Sequence, residues 1–193
     1  MNKTTAYKIF IFALTMVFIS ISVYAEASEV NNTIRRLDPS AFPKLPKNIR
    51  RSLEFRSCTI PQVFEELRPH NVIRGEFIKK GQKDWAVLCS KDGISTILIF
   101  KADSAKNVSE IESSSDEKWT QSYGDGEYGF SRQIIVAGKK QIMQYNKNLK
   151  ELTGEEQDLP LITHDGIDDI FVSKASVVHY YYKGQWLELS GSD

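Results

Sequence analysis

Cysteine and histidine are both scarce in this sequence of 193 residues, which holds two of the first and three of the second. His70, His164 and His179 leave little material for acid–base or metal catalysis, which draws on imidazole more than on any other side chain. Gly-x-Ser-x-Gly, a glycine-rich phosphate loop and His-Glu-x-x-His are missing as well, so the common nucleophile, nucleotide and zinc-protease signatures are excluded. Charge of one sign is not in excess: 25 basic residues face 25 acidic ones. The one basic cluster, Lys44 to Arg56, is interleaved with apolar residues and reads as the wet face of a short helix. No nucleic acid is expected as a partner, because phosphate binding needs clustered Lys and Arg.

Long apolar runs are absent except at the N-terminus. Met1 to Lys8 carries two lysines and no acid, Ile9 to Val23 carries no charge, and Val23-Tyr24-Ala25 offers a small residue at a cleavage position. That order matches a secretory signal peptide over residues 1–25, with cleavage after Ala25 first and after Ala27 second. The stretch is short of the about 20 apolar residues that span a bilayer, so no stable membrane anchor is expected once it is removed. Loss of Lys3 and Lys8 lowers the basic count by two and leaves the mature chain nearly neutral. The expected location is periplasmic or extracellular. In that setting Cys58 and Cys89 read as one disulfide. A zinc site or a reactive thiol would call for Cys-x-x-Cys or a histidine at ligand spacing, and neither accompanies them.

Residues 26–44, with Pro39 and Pro43, read as a flexible lead-in, and 45–193 as a single β-rich domain. Leu45, Ile49 and Leu53 recur at helical spacing, which predicts one short N-terminal helix. Beyond it the apolar segments 72–77, 84–90 and 94–100 read as strands, the last two joined at Asp92-Gly93. Trp85 to Leu88 and Ile97 to Phe100 are apolar on both faces, as in central, covered strands. Residues 102–118 read as a surface loop. A hairpin is expected from 128–136 and 141–145 across Gly138, then a loop over 146–158. The pair 169–172 and 176–182 follows, with 185–189 after Lys183-Gly184. The fold class is mainly β: an antiparallel sheet, a sandwich or partial propeller-like hairpins.

Two segments echo one another, Gly75 to Val87 and Leu161 to Val172. The first resembles the FG-GAP or VCBS-type hairpin of integrin-like propellers. The resemblance implies sharp bends at Gly81 and Gly166 and a calcium loop, because a hard cation takes several oxygens along one tight turn. The ligand positions of the first segment fall on Glu76, Ile78, Lys80 and Asp84, and Ile78 and Lys80 do not suit a cation. Lys80 is expected to pair with Glu76 or Asp84 instead. In the second segment they fall on Leu161, Thr163, Asp165 and Asp169, leaving Thr163, Asp165 and Asp169 as weak metal candidates. No cofactor and no bound metal are expected. The ending, Ala175 to Leu187, resembles the C-terminal hairpin of small secreted bacterial proteins, a likeness that implies a compartment alone.

No residue stands out as catalytic. Tyr180, Tyr181, Tyr182 and Trp186 form the leading binding candidate, since such rings stack on sugars or anchor protein partners. His164 and Asp168 are further binding candidates. The doublet Asp168-Asp169 reads as solvated charge. The leading functional reading is a non-catalytic exported domain that binds a protein or a glycan. Alternatives are an envelope enzyme with its site around His164, Asp165 and Asp168, and a structural subunit of an extracytoplasmic assembly. Asn107-Val108-Ser109 is a glycosylation acceptor sequence.

Overall fold

A computed structural model describes residues 33–64 and 66–192; the expected signal peptide lies outside them. Among the described residues there are two four-stranded antiparallel sheets, two small two-stranded ones and two α-helices. In order, the elements are β1 (Arg36–Leu37), α1 (Lys47–Phe55), β2 (Ile60–Pro61), β3 (Val72–Gly75), β4 (Asp84–Lys91), β5 (Ile94–Phe100) and β6 (Val108–Ser115). There follow β7 (Thr120–Gly124), β8 (Glu127–Phe130), β9 (Arg132–Ala137), α2 (Lys139–Thr153), β10 (Gly166–Phe171), β11 (Ala175–Tyr182) and β12 (Gln185–Ser190). Sheet I runs β3-β4-β5-β6 and sheet II runs β12-β11-β10-β9.

Strand alternation sorts the apolar residues into layers. From sheet I, Trp85, Val87, Cys89, Leu98 and Phe100 pack against Ile49 and Leu53 of α1. The opposite side chains, Ala86, Leu88, Ile97 and Ile99, meet Ile134 and Ile167 of sheet II. The far face of sheet II, with Ala137, Val178, Tyr180 and Leu189, is covered by Ile142 of α2 and by Ile162. The molecule is therefore layered helix, sheet, sheet, helix, and β4 is buried on both faces as its continuous apolar run implies. Asn71 joins the sheets at one corner: its Nδ2 donates to Pro61 O and Arg132 O, and its Oδ1 accepts from Ile134 N.

Local chemistry explains several elements. Asp92 and Gly93 have φ of 52° and 76°, the left-handed pair of a two-residue hairpin turn. Cys58 and Cys89 form the disulfide and tie the chain after α1 to β4. Among the described residues no helix is long and apolar enough to cross a membrane.

Five expectations are corrected. The hairpin across Gly138 does not form, because 139–153 is α2, which buries Ile142 and Asn146 at i, i+4 and ends at Gly154 in the left-handed region. The expected loop over 146–158 therefore begins only after Thr153. Residues 102–118 hold β6, an edge strand whose polar sequence suits its exposed position. The described part of the lead-in is packed, with Ile34 and Phe42 buried and β1 paired to β2. Gly166 is not at a bend: it opens β10, where an added Cβ would lie 2.7 Å from Val178 Cγ1 and 3.1 Å from His179 O.

Candidate functional site

The concave feature with the most varied chemistry lies where α2 crosses the edge of sheet II. Tyr145, Asn148, Leu149 and Leu152 line it from the helix, a set that one helical stripe presents together. Ser176, Ser190 and Ser192 line it from the sheet side, beside Gly191. The groove holds about 310 Å³. Gly191 lies so close to Ser176 that a Cβ would fall 2.5 Å from its backbone oxygen, so a larger residue there would push into the wall.

Asp168 stands at the Tyr145 end of this groove. Its Oδ2 accepts from Tyr145 Oη at 2.8 Å and from Gln141 Nε2 at 3.1 Å. Its Oδ1 has no partner within hydrogen-bond distance among the described residues. Burial pushes the Asp168 carboxyl above the usual range, and the neighbouring charge of Asp169 adds to this while the Ser176 and Tyr145 hydroxyls oppose it. Burial likewise raises the Tyr145 phenol. The expectation that Asp168-Asp169 is solvated is overturned. Strand alternation does send the two carboxylates to opposite faces, but both faces of sheet II are covered, one by α2 and the other by sheet I.

Asp169 enters the layer between the sheets and pairs with buried Arg132. Burial alone would raise its pKa; the adjacent His179 and Arg132 outweigh that and hold it below the usual carboxylate range. Thr163 and Asp165 lie elsewhere. Thr163 N donates to Tyr180 Oη, and Asp165 Oδ2 accepts from Glu76 N at 2.9 Å while Asp165 N donates to Glu76 O. The two echoing segments are thus joined to one another. In the first of them Glu76 pairs with Lys83, not with Lys80, and Asp84 accepts from Ile78 N and Ala102 N.

The aromatic candidates are divided between faces. Tyr180 is wholly buried, with its hydroxyl donating to Leu161 O and accepting from Thr163 N. His164 stacks on the Tyr180 ring at 4.4 Å, and its Nδ1–H donates to Asp165 O. Tyr181 and Trp186 meet edge to face at 5.3 Å, both half-buried, with Lys101 over the Tyr181 ring. Trp186 packs on the core between the sheets, whereas Tyr182 packs on the α2 side. His70 is half-buried: its Nε2 accepts from Val63 N at 2.7 Å and its Nδ1–H donates to Arg68 O, and burial lowers its pKa. The exposed Asn107 immediately precedes β6.

Sequence reasoning reached Asp168 but missed Gln141, Tyr145, Asn148 and the three serines. The period of α2 was the available signal for the first group; the serines become neighbours only through pairing of β11 with β12. Comparison with family models, curated proteins and solved structures found no match to this chain.

Proposed function

We propose that this protein is an exported, non-catalytic binding domain whose ligand is a short glycan, seated in the groove between α2 and the β11–β12 edge. The observation that carries the reading is the composition of that groove. Serine hydroxyls on the sheet side face a helical stripe that carries the Leu149 and Leu152 side chains together with the Asn148 amide and the Tyr145 ring. A sugar presents the same division, with hydroxyls on its rim and C–H groups on its faces, and pockets fix such ligands with a few placed polar groups on an apolar base. Export is supported by the signal-like segment over residues 1–25 and by the disulfide, which favours the periplasm or the extracellular space. The enzyme alternative is less well supported. His164 is stacked and bonded to backbone, Asp165 caps the Glu76 amide, and Asp168 points to α2.

The test is a thermal-shift screen of the purified protein against defined di- to hexasaccharides. At least one is expected to raise the melting temperature by mass action on the folded state. Asn148→Ala and Leu152→Ala, both at exposed positions, are expected to remove the shift while melting normally without sugar. If the shift survives both, the groove is not the site.

A further inference from the structure

Glu112, His179 and Glu188 come from β6, β11 and β12, and so from both sheets, to one place. One oxygen of each carboxylate and one ring nitrogen of His179 lie within 4.8 Å of one another. The glutamates are exposed, and the imidazole is buried with 3% of its side chain accessible.

The imidazole is within ion-pair reach of Asp169 but makes no hydrogen bond at Nε2 among the described residues, since Asp169 Oδ2, at 3.7 Å, is beyond hydrogen-bond length. Buried polar atoms are nearly always satisfied, so an orphaned ring nitrogen beside two carboxylates points to a ligand that accepts its lone pair. Neither glutamate has an ion-pair partner among the described residues. Two unpaired carboxylates this close repel each other unless a cation stands between them. Glu112 is also held in a special conformation. Ser95 pairs with Ser114 and Ile97 with Ile111, so Glu112 and Ser113 together face Thr96 in a bulge, and Glu112 has φ of 50°. Bulges re-aim side chains in this way.

We propose that Glu112, His179 and Glu188 form a binding site for a divalent transition cation of the zinc class. One nitrogen and two carboxylate oxygens suit zinc, which takes a fourth ligand from water. Calcium and magnesium call for more oxygens and are poorly matched to an imidazole. The ion joins β6, at the edge of sheet I, to β11 and β12 of sheet II.

The test uses chelator-stripped protein titrated with zinc, read by calorimetry and by melting curves. Wild type is expected to bind one zinc per chain and to melt several degrees higher than in chelator. Glu188→Gln, and Glu112→Gln combined with it, are expected to weaken binding by about tenfold or more. In chelator the double variant is expected to melt at or above wild type, because the carboxylate repulsion is gone, which also shows that it folds. The proposal is overturned if wild type takes up no zinc at micromolar concentrations. It is equally overturned if the folded double variant binds zinc with wild-type stoichiometry and affinity.

Discussion

Arg132 and Asp169 form a bidentate ion pair sealed between the two sheets, with Nε to Oδ1 at 2.9 Å and Nη2 to Oδ2 at 2.7 Å. Their side chains are 0% and 3% exposed. Arg132 then crosses from sheet II to sheet I, donating to Ser95 O, Ser95 Oγ and Glu112 O. The pair therefore sets how strands β9 and β10 meet β5 and β6. Removing one partner leaves a buried charge uncompensated, at a cost of about 3–5 kcal/mol. Asp169→Ala is expected to lose stability of that order in urea unfolding. Arg56→Ala, which breaks the exposed pair with Glu110, is expected to cost about 0–1 kcal/mol. Equal losses would contradict this account of the inter-sheet layer.

The neighbouring aspartates give stability opposite dependences on pH. The pKa of Asp169 is lowered from 3.8, so its contribution is present above 3.8 and is lost as pH falls through the folded value. The pKa of Asp168 is raised from 3.8, so its contribution is full below 3.8 and is lost as pH rises through the folded value. Asp168→Asn keeps an acceptor for Tyr145 and Gln141 and removes the buried charge, so at neutral pH it is expected to melt at or above wild type. Asp169→Asn is expected to lower stability at neutral pH and to flatten its fall on acidification. Unfolding series between about pH 3 and pH 7 check both signs.

The Cys58–Cys89 bridge closes a loop with a sequence separation of 31. In the chain-entropy model a loop of this size contributes about 3–4 kcal/mol. Reduction is expected to lower stability by that order, read by urea unfolding with and without reductant. Two thiols recovered from unreduced, denatured protein would contradict the bridge.

Trp186 is half-buried against the core between the sheets, and its Nε1–H has no partner among the described residues. Trp186→Ala is expected to cost about 3 kcal/mol or more through lost packing. Trp186→Phe keeps much of the ring contact and removes the orphan donor, so it is expected to cost clearly less. Melting curves of the two variants distinguish them, and equal losses would show that the indole N–H is satisfied.

Much of sheet I is legible in the sequence because its signals are local. Asp92-Gly93 fixes a two-residue turn, and the apolar runs around it announce strands covered on both sides. The second helix was hidden because its exposed face is rich in Lys, Gln and Asn, and Gln141 to Tyr145 alone resembles a strand. The edge strand β6 was hidden because few of its side chains are buried, so nothing in its polarity marks it as structure. Asp168 and Asp169 were misread because the covering of both faces of sheet II arises from elements far away in sequence. Glu188 faces His179 directly across the β11–β12 hairpin, whereas Glu112 carries no local signal; only the bulge in β6 and the stacking of the sheets bring it to His179.

The central claim is that the groove beneath Tyr145 binds a glycan without altering it. Its most direct measurement is amide chemical-shift mapping of the isotope-labelled protein with the saccharide that gives the largest thermal shift, followed by analysis of the recovered sugar. The account predicts shifts concentrated at Tyr145, Asn148, Ser176, Ser190 and Ser192, and a sugar returned intact. Shifts centred on Tyr181 and Trp186, no shifts with any saccharide, or a cleaved product would contradict it.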